Sequence, residues 1–327
     1  MNFPVVYVVI VTYNNRWHFL KQCIDSLRKC PNLHIVIVNN GSDKVENSYL
    51  DTAGFLSFTY RFSDTNRGSA WGFSEGMRYV ISTDPNSLIL LLDDDNTVGV
   101  DCIRNLIYSH EKFRKNTPID SLIIMSWRTS RKYLSDILDG YPVEKYQYTS
   151  NEFLGFSLSR MVFKLLRLYK KTAPVEFANL KYAPYGGLFF SADYIKKYGL
   201  PLEEYFVYAD DFEFTSRCTR SGGKIILVRN VKVEDVEESW QVNNNKRFGI
   251  NTSLLYGSKF RVYYSVRNFL IFQQNTWVSK KFIFICNGVL FSFLFLMMSL
   301  FYCKFGNIGT YFKAIFDGLN KRFIQLR

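Results

Sequence analysis

The stretch LLLDDDNTV, Leu90–Val98, runs from three leucines straight into three aspartates, Asp93, Asp94 and Asp95. Its apolar half continues SLILLL and has the length and composition of a strand buried on both faces. Such strands belong to parallel sheets covered by helices. The aspartates then fall at the carboxyl end of the strand, where ligands gather in open α/β sheets. Two earlier runs have the same form: VVYVVIVTY leads into TYNN, and LHIVIVNN into NNGSD. Between them RWHFLKQCIDSLRKC reads as an amphipathic helix. The alternation predicts an α/β fold with a mostly parallel sheet and three polar strand ends directed at one crevice.

Three adjacent carboxylates at a buried strand end repel one another, and their pKa values rise unless a cation neutralises them. The plainer reading is a strand-ending turn with one Asp capping the next helix. Three in a row point instead to Mg²⁺ or Mn²⁺, which bind hard oxygen ligands through one or two carboxylates and complete the shell with substrate phosphates. In an extended chain Asp93 and Asp95 face one side and Asp94 the other. The outer pair is therefore expected to form the site, with Asp94 in support.

A chain of 327 residues, 47% hydrophobic and 17% aromatic, has enough apolar content for one large core or two modest ones. Six cysteines without CxxC spacing read as reduced thiols in a cytosolic compartment and argue against a zinc site. The N-terminal apolar run has no basic segment before it and no small-residue cleavage site after it, so it reads as a strand and nothing marks the chain for export. No GxGxxG follows this first strand, which excludes a dinucleotide-binding dehydrogenase.

The net charge of +12 is concentrated at one end: residues 241–327 hold 12 Lys and Arg against a single acid, Asp317. Within that segment Phe282–Tyr302 is uncharged, flanked by Lys280, Lys281 and Lys304, and long enough for a bilayer. Membrane contact accounts for tail and charge together. A buried core helix is the alternative, and a nucleic-acid groove fits poorly because the basic residues interleave with the apolar run. The organisation expected is a catalytic domain over residues 1–240 and a basic, helical, membrane-associated region over 241–327. A second interfacial helix is read in FLGFSLSRMVFKLLRLYKK, where Arg160, Lys164, Arg167 and Lys171 align on one face opposite Leu154, Leu158, Met161 and Leu165; a solvated face over core is the alternative.

YADDFEFTSR places Asp210 and Asp211 where a helix would start. Capping suits them, because carboxylates accept the free N–H groups there and complement the helix dipole. Service as a general base is compatible with that. Arg217, farther along, either holds carboxylates or a leaving diphosphate, or makes a structural ion pair. Gly186 and Gly187 allow close approach of a ligand or form a tight turn, and Trp71 and Trp240 stack on a ligand face or belong to the core.

In order along the chain, VIVTYNN, IVIVNNGSD, TNRGSAWGFSEGM, LLDDDN, YAPYGGLFFSADYIKKYGLP and YFVYADDFEFTSRCTRSGGKIILV resemble the successive motifs of family 2 glycosyltransferases of the GT-A fold. The resemblance runs from about Val5 to Val236, and VYYSVRNFLIF with its apolar sequel is similar to tails of membrane-associated members. The DDDN, ADDFEF, YGG and ESW forms look most like the galactofuranosyl branch, with rhamnosyl and other hexosyl branches close. Carried over by position, the resemblance implies that Thr12, Tyr13 and Asn14 surround the base and ribose of the donor, with Asn39 at the base edge. Asn66, Arg67 and Gly68 would follow the diphosphate, Asp93 and Asp94 complete the donor set, and Asp95 hold the metal. Asp235 would be a further metal ligand, with Glu234, Glu237 and Glu238 as rivals. Gly186, Gly187, Asp210 and Glu213 would face the acceptor, and Asp211 would be the general base.

The activity implied is an inverting transfer dependent on Mn²⁺ or Mg²⁺. It moves a sugar, galactofuranose favoured, from a nucleotide-diphosphate donor, UDP favoured, to a lipid-linked saccharide. The place implied is the cytoplasmic face of the bacterial inner membrane, in synthesis of O-antigen, capsule or cell wall. A noncatalytic nucleotide-sugar-binding scaffold is the rival reading, opposed by the retention of both DDD and DDFE.

Overall fold

The computed structural model describes residues 4–30, 32–41, 54–237, 246–247, 250–251 and 253–325. Its elements are β1 (Val6–Thr12), α1 (Trp17–Leu27), β2 (Leu33–Asn40), β3 (Ser57–Ser63), α2 (Gly68–Thr83), β4 (Leu88–Asp93), β5 (Asn96–Val98), α3 (Cys102–Arg114), β6 (Leu122–Arg128) and α4 (Lys132–Leu138). There follow α5 (Leu158–Leu165), β7 (Phe177–Leu180), β8 (Leu188–Ser191), α6 (Asp193–Tyr198), α7 (Asp210–Arg220), β9 (Lys224–Asp235), β10 (Lys246–Arg247) and β11 (Ile250–Asn251). The C-terminal helices are α8 (Ser253–Tyr256), α9 (Lys259–Thr276), α10 (Lys281–Phe301) and α11 (Ile308–Leu319).

Two compact units divide the chain. The first holds Met1–Gly140, Thr172–Phe206 and Asp210–Glu237; the second holds Tyr141–Lys171, Val207–Ala209 and Glu238–Arg327. The segment Tyr141–Lys171 thus groups with the C-terminal helices, a grouping hidden by its place in the sequence.

The first unit is built on a sheet in the order β3-β2-β1-β4-β8-β6-β9-β5, with β7 beside β9. The four strands β3, β2, β1 and β4 run parallel, β8 enters antiparallel between β4 and β6, and β6 again runs parallel to β9. β1 is buried at every position and β2 at all but His34, as β-branched and leucine-rich runs covered on both faces must be. Register sets the site. Thr12 pairs with Asn39 and Val11 with Asp93, so the polar ends of β1, β2 and β4 finish at one level of the sheet.

In the second unit α9 carries the VYYSVRNFLIF stretch with Arg267 inward, while Lys259 and Arg261 are exposed. Arg267 is buried, donates to Asn268 Oδ1 at 2.8 Å and lies over the Tyr264 ring at 4.6 Å. Asn268 Nδ2 in turn donates to the carbonyls of Val207 and Tyr208 at 2.6 and 3.1 Å. α10 is, among the described residues, the one helix long and apolar enough to cross a membrane.

The basic stripe read along α5 is corrected in one member. Arg160 is buried, bonded to Glu152 at 2.6 Å and to the carbonyls of Lys145 and Gln147 at 3.0 and 2.6 Å. It anchors the helix inward while its neighbours stay exposed. The helix also ends at Leu165, before Arg167 and Lys171.

Candidate active site

The aspartate triplet is not left to repel itself. β4 ends at Asp93, a turn carries Asp94 and Asp95, and β5 begins at Asn96. The buried Asp94 accepts from Thr12 Oγ1 at 2.7 Å and from Arg16 Nε at 3.0 Å on both carboxylate oxygens. Arg16 Nη1 extends to Glu237 at 2.5 Å. On the other side Arg128, at the end of β6 and fully buried, donates to Asp93 Oδ2 at 3.0 Å. Asp95 has less: Asn96 Nδ2 at 3.3 Å and Arg16 Nη2 at 3.8 Å. Withdrawal from water, with the charge of Asp93 beside it, pushes Asp95 up to about 7. Two guanidinium groups therefore bond closely to two of the three aspartates, and the third, only distantly paired, is the one raised to about 7.

Asp235 reaches the triplet through register, because β9 runs antiparallel to β5 with Asp235 opposite Asn96. Its carboxylate is enclosed by donors: Asn96 Nδ2 at 2.8 Å, Arg128 Nε at 2.8 Å, Arg131 Nε at 3.1 Å and the Ser130 hydroxyl. Burial acts against its charge most strongly of any single influence, but Arg128, the Ser130 hydroxyl and Arg131 together outweigh it and lower its pKa. With its acceptor positions filled by the protein, Asp235 is placed as the counter-ion of Arg128, and a metal there would have to displace both arginines. Among the described residues no three His, Cys, Asp or Glu side chains gather to hold an ion. What the triplet offers is a pair of hard oxygen donors, Asp95 with Asp93 two residues away, and a local excess of negative charge. That fits a divalent ion completed by phosphate oxygens. Among the rival acids, Glu237 pairs with Arg16 and Glu234 pairs with Thr97 in the strand register, while Glu238 lies outside the described residues.

The remaining donor-side residues gather at the same strand ends. Tyr13 is exposed and Asn14 turns the chain with φ 55°. Asn39 is buried and donates to the Tyr60 hydroxyl at 2.6 Å. Asn40, beside it, accepts from Arg67 N at 2.8 Å and donates to Gly68 O at 2.9 Å, tying the loop before α2 to the end of β2. Asn66 Oδ1 closes that loop onto Gly68 N at 2.8 Å. Gly68 has φ 85°, and a Cβ there would stand 2.0 Å from the Phe206 carbonyl oxygen, so only glycine fits. Arg67 lies over the Trp71 ring at 4.5 Å; Trp71 itself is buried, and Trp240 falls outside the described residues.

On the acceptor side, Gly187 N donates to Leu91 O at 2.8 Å and joins the turn before β8 to β4. A Cβ on Gly186 would lie 2.4 Å from Arg128 Nη1 and 2.6 Å from Asp93 Oδ2, so the YGG turn packs directly on the triplet. α7 opens with Asp210 and Asp211 in its first turn. Asp210 is buried and accepts from Ser69 Oγ at 2.9 Å, while Asp211 accepts from the N–H of Phe212 at 2.8 Å. Among the described residues neither makes an ion pair. Burial first, and the charge of Asp210 second, raise Asp211 well above the carboxylate range; burial pushes Asp210 up to about 7. The charge of Asp93 also acts on Asp211. Glu213 is taken by Arg217, which grips both its oxygens and also donates to the carbonyls of Tyr198 and Leu200 at 2.7 and 2.9 Å. The structural ion pair is thus the alternative realised for Arg217.

A family model described as glycosyl transferase family 2 matches residues 7–197, more than half of the chain. The chain belongs to family 2 of the glycosyltransferases. A crystal structure of GalNAc-T7 with UDP, GalNAc and Mn²⁺ is similar at 14% identity with a TM-score of 0.53, over 84% of this chain and 48% of that one. The chain thus spans about half the length of that neighbour, and the likeness is one of fold, the GT-A type. A crystal structure of S. aureus TarS aligns at 13% identity with a TM-score of 0.44, over 71% of this chain and 37% of that one. No curated protein sequence matches.

Four side chains of this family 2 transferase escaped sequence reasoning: Arg16, Asn40, Ser69 and Arg128. Each makes its contact with a residue at least 26 positions away along the chain. The one available signal was electrostatic. A triplet of buried acids demands buried bases, and an arginine at the end of a strand or just after one was the place to look.

Proposed function

We propose that this transferase moves a sugar, galactofuranose favoured over rhamnose or another hexose, from a UDP donor to a lipid-linked saccharide with inversion at the anomeric carbon. The observation that carries the reading is the half-buried carboxylate of Asp211. It is raised in pKa, without an ion-pair partner among the described residues, at the start of a helix and within the electrostatic reach of Asp93. A carboxylate of raised pKa in part-open surroundings is suited to general-base work. The acceptor hydroxyl oxygen forms the new bond to the anomeric carbon, its proton passes to an Asp211 oxygen, and the bond to the diphosphate breaks with its electron pair leaving on phosphate oxygen.

The donor is held, in this reading, by the strand ends carrying Thr12–Asn14 and Asn39, by the Asn66–Gly68 loop, and by Asp93. Arg16 and Arg128 supply the positive charge that holds Asp94 and Asp93 in place at the strand end. Asp95, with Asp93, would hold Mn²⁺ or Mg²⁺, and a divalent ion bound there would neutralise charge on the departing diphosphate. Asp210, buried against Ser69, sets the charge state of Asp211 and orients the acceptor. A place at the cytoplasmic face of the membrane, where lipid-linked saccharides are presented, is supported by the basic tail and the apolar α10.

The test is a donor panel. The purified chain with Mn²⁺ is presented with UDP-, dTDP- and GDP-sugars, and thermal protection and nucleotide release are scored. UDP-galactofuranose should protect and turn over most strongly. Preferred use of dTDP-rhamnose would move the assignment to the rhamnosyl reading, and protection by no nucleotide sugar would contradict the reading as a whole.

A further inference from the structure

We infer that the second unit binds a single leaflet of an anionic membrane, with α10 lying in the interface plane and not crossing the bilayer. This deepens the membrane placement in the proposed function and rests on it. With 21 residues, α10 is about 31 Å long, which by length alone would suffice to span. Its two faces decide otherwise.

One face is committed to protein. Phe284, Asn287, Phe291, Phe295 and Met298 recur every three or four positions and are buried. Asn287 Nδ2 donates to the Asn151 carbonyl at 2.8 Å, and its Oδ1 accepts from Leu158 N at 3.2 Å. Ser292 and the Tyr311 hydroxyl bond at 2.9 Å, and Tyr311 packs on Phe295 with ring centroids 4.2 Å apart. A Cβ on Gly288 would meet the Phe153 ring at 2.7 Å, so this side fits closely along the middle of the helix. Crossing a bilayer alone would strip these contacts and leave the Asn287 amide unpaired in hydrocarbon.

The opposite face is apolar and open. Phe282, Ile285, Val289, Phe293, Leu296 and Leu300 follow the same spacing and are all exposed. α11 repeats the arrangement: Phe312, Phe316 and Leu319 are exposed, as is Phe323 beyond its end, while Tyr311, Ala314 and Asp317 are buried. On α5, whose first N–H is the one held by Asn287, Phe163 and Leu165 are exposed as well, as is Leu166 just past its end.

Charge says what covers these rows. Lys280, Lys281, Lys304, Lys313, Lys321 and Arg322 are exposed beside them, as are Lys164 and Arg167 on and next to α5. The only acid after residue 241, Asp317, is buried and accepts from the Tyr263 hydroxyl at 2.7 Å. Half-buried helices with an apolar outer row and basic flanks match an anionic leaflet, into which such rows sink while lysines stay at the headgroups. A second copy of the chain would bring like charge against like.

Native thiols supply the test. Cys286, on α10, and Cys303, just beyond its end, are exposed, whereas Cys23, Cys30, Cys102 and Cys218 are buried. In the full chain carrying Cys286→Ser, inside-out membrane vesicles from expressing cells are treated with a membrane-impermeant maleimide. Because both ends of α10 stay on the cytoplasmic side, Cys303 should react before detergent is added. Protection of Cys303 until detergent is added would mean that α10 spans, and would overturn the inference. In parallel, Phe293→Glu, an exposed position whose change leaves the core intact, should move most of the chain to the soluble fraction with its thermal transition and donor protection unchanged. If that variant stays on membranes, or the parent chain never associates with them and runs as a dimer, the lipid-facing assignment is wrong. Donor protection is read separately, so failure here is distinguishable from failure of the transferase reading.

Discussion

The first unit carries two acidic clusters, both with carboxylates raised by burial, that differ in their partners. Asp93 and Asp94 sit against guanidinium groups, Arg128 and Arg16, and burial still raises Asp94 above the ordinary carboxylate value against the pull of Arg16. Asp210 and Asp211 have a serine hydroxyl and backbone N–H groups, and both are shifted toward their protonated forms. Carboxylates given cations are arranged to hold charge, and carboxylates denied them are arranged to exchange a proton. In the proposed reading, donor and metal belong to the strand end and proton transfer to the start of α7.

The largest effect that could break this contrast is on turnover. Asp211→Asn keeps the side-chain size and can accept the Phe212 N–H, but it takes up no proton at neutral pH. Transfer should fall by roughly 10²- to 10⁴-fold in a product-formation assay. Near-parental turnover, or a product with retained anomeric configuration, would remove Asp211 from the role.

Next in size is stability at the compensated cluster. Arg128→Gln leaves Asp93 without its cation and Asp235 with Arg131 alone, and urea unfolding should show a loss of about 3–5 kcal/mol, as for one partner of a buried pair. Arg128→Lys restores charge without the fork that spans both acids, and should recover only part of the loss. An unchanged midpoint in Arg128→Gln would show that the triplet is neutralised by other means.

The smallest effect sharpens the comparison by its sign. Asp210 has a higher pKa folded, about 7, than unfolded, about 4, so the folded state binds the extra proton and loses stability as pH rises across that window. The stability advantage of Asp210→Asn over the parent should therefore grow from pH 4 to pH 7 and level off above. Urea midpoints at three pH values suffice, and an advantage that shrinks with pH would place a cation beside Asp210.

The legible parts of the sequence were those in which one local pattern forces one outcome. β1, β2 and β4 are apolar runs that only a doubly covered sheet can bury, and their polar ends announced the site. α10 declared itself by length and composition. What stayed hidden depends on distant pairing. Arg128 and Asp235 are 107 residues apart and meet only because β6 and β9 are neighbours in the sheet. By resemblance Asp235 reads as a further metal ligand, with Glu234, Glu237 and Glu238 as rivals. The pairing of β9 with β5, which sets Asp235 opposite Asn96 and against Arg128, could not be read from VEDVEES. Arg160 looked like one more base in a stripe, since helical spacing says which face a residue shares but not which face is inward. Its partner Glu152 precedes the helix by six residues and gives no periodic signal.

The most direct test of the division between the clusters is a calorimetric titration of donor, with and without Mn²⁺, into Asp95→Ala and Asp211→Asn side by side. Asp95→Ala should lose the Mn²⁺-dependent part of donor affinity while remaining folded, and Asp211→Asn should bind donor and Mn²⁺ as the parent does. Retention of Mn²⁺-dependent binding in Asp95→Ala, or its loss in Asp211→Asn, would contradict the assignment of metal to the strand end and proton to the helix.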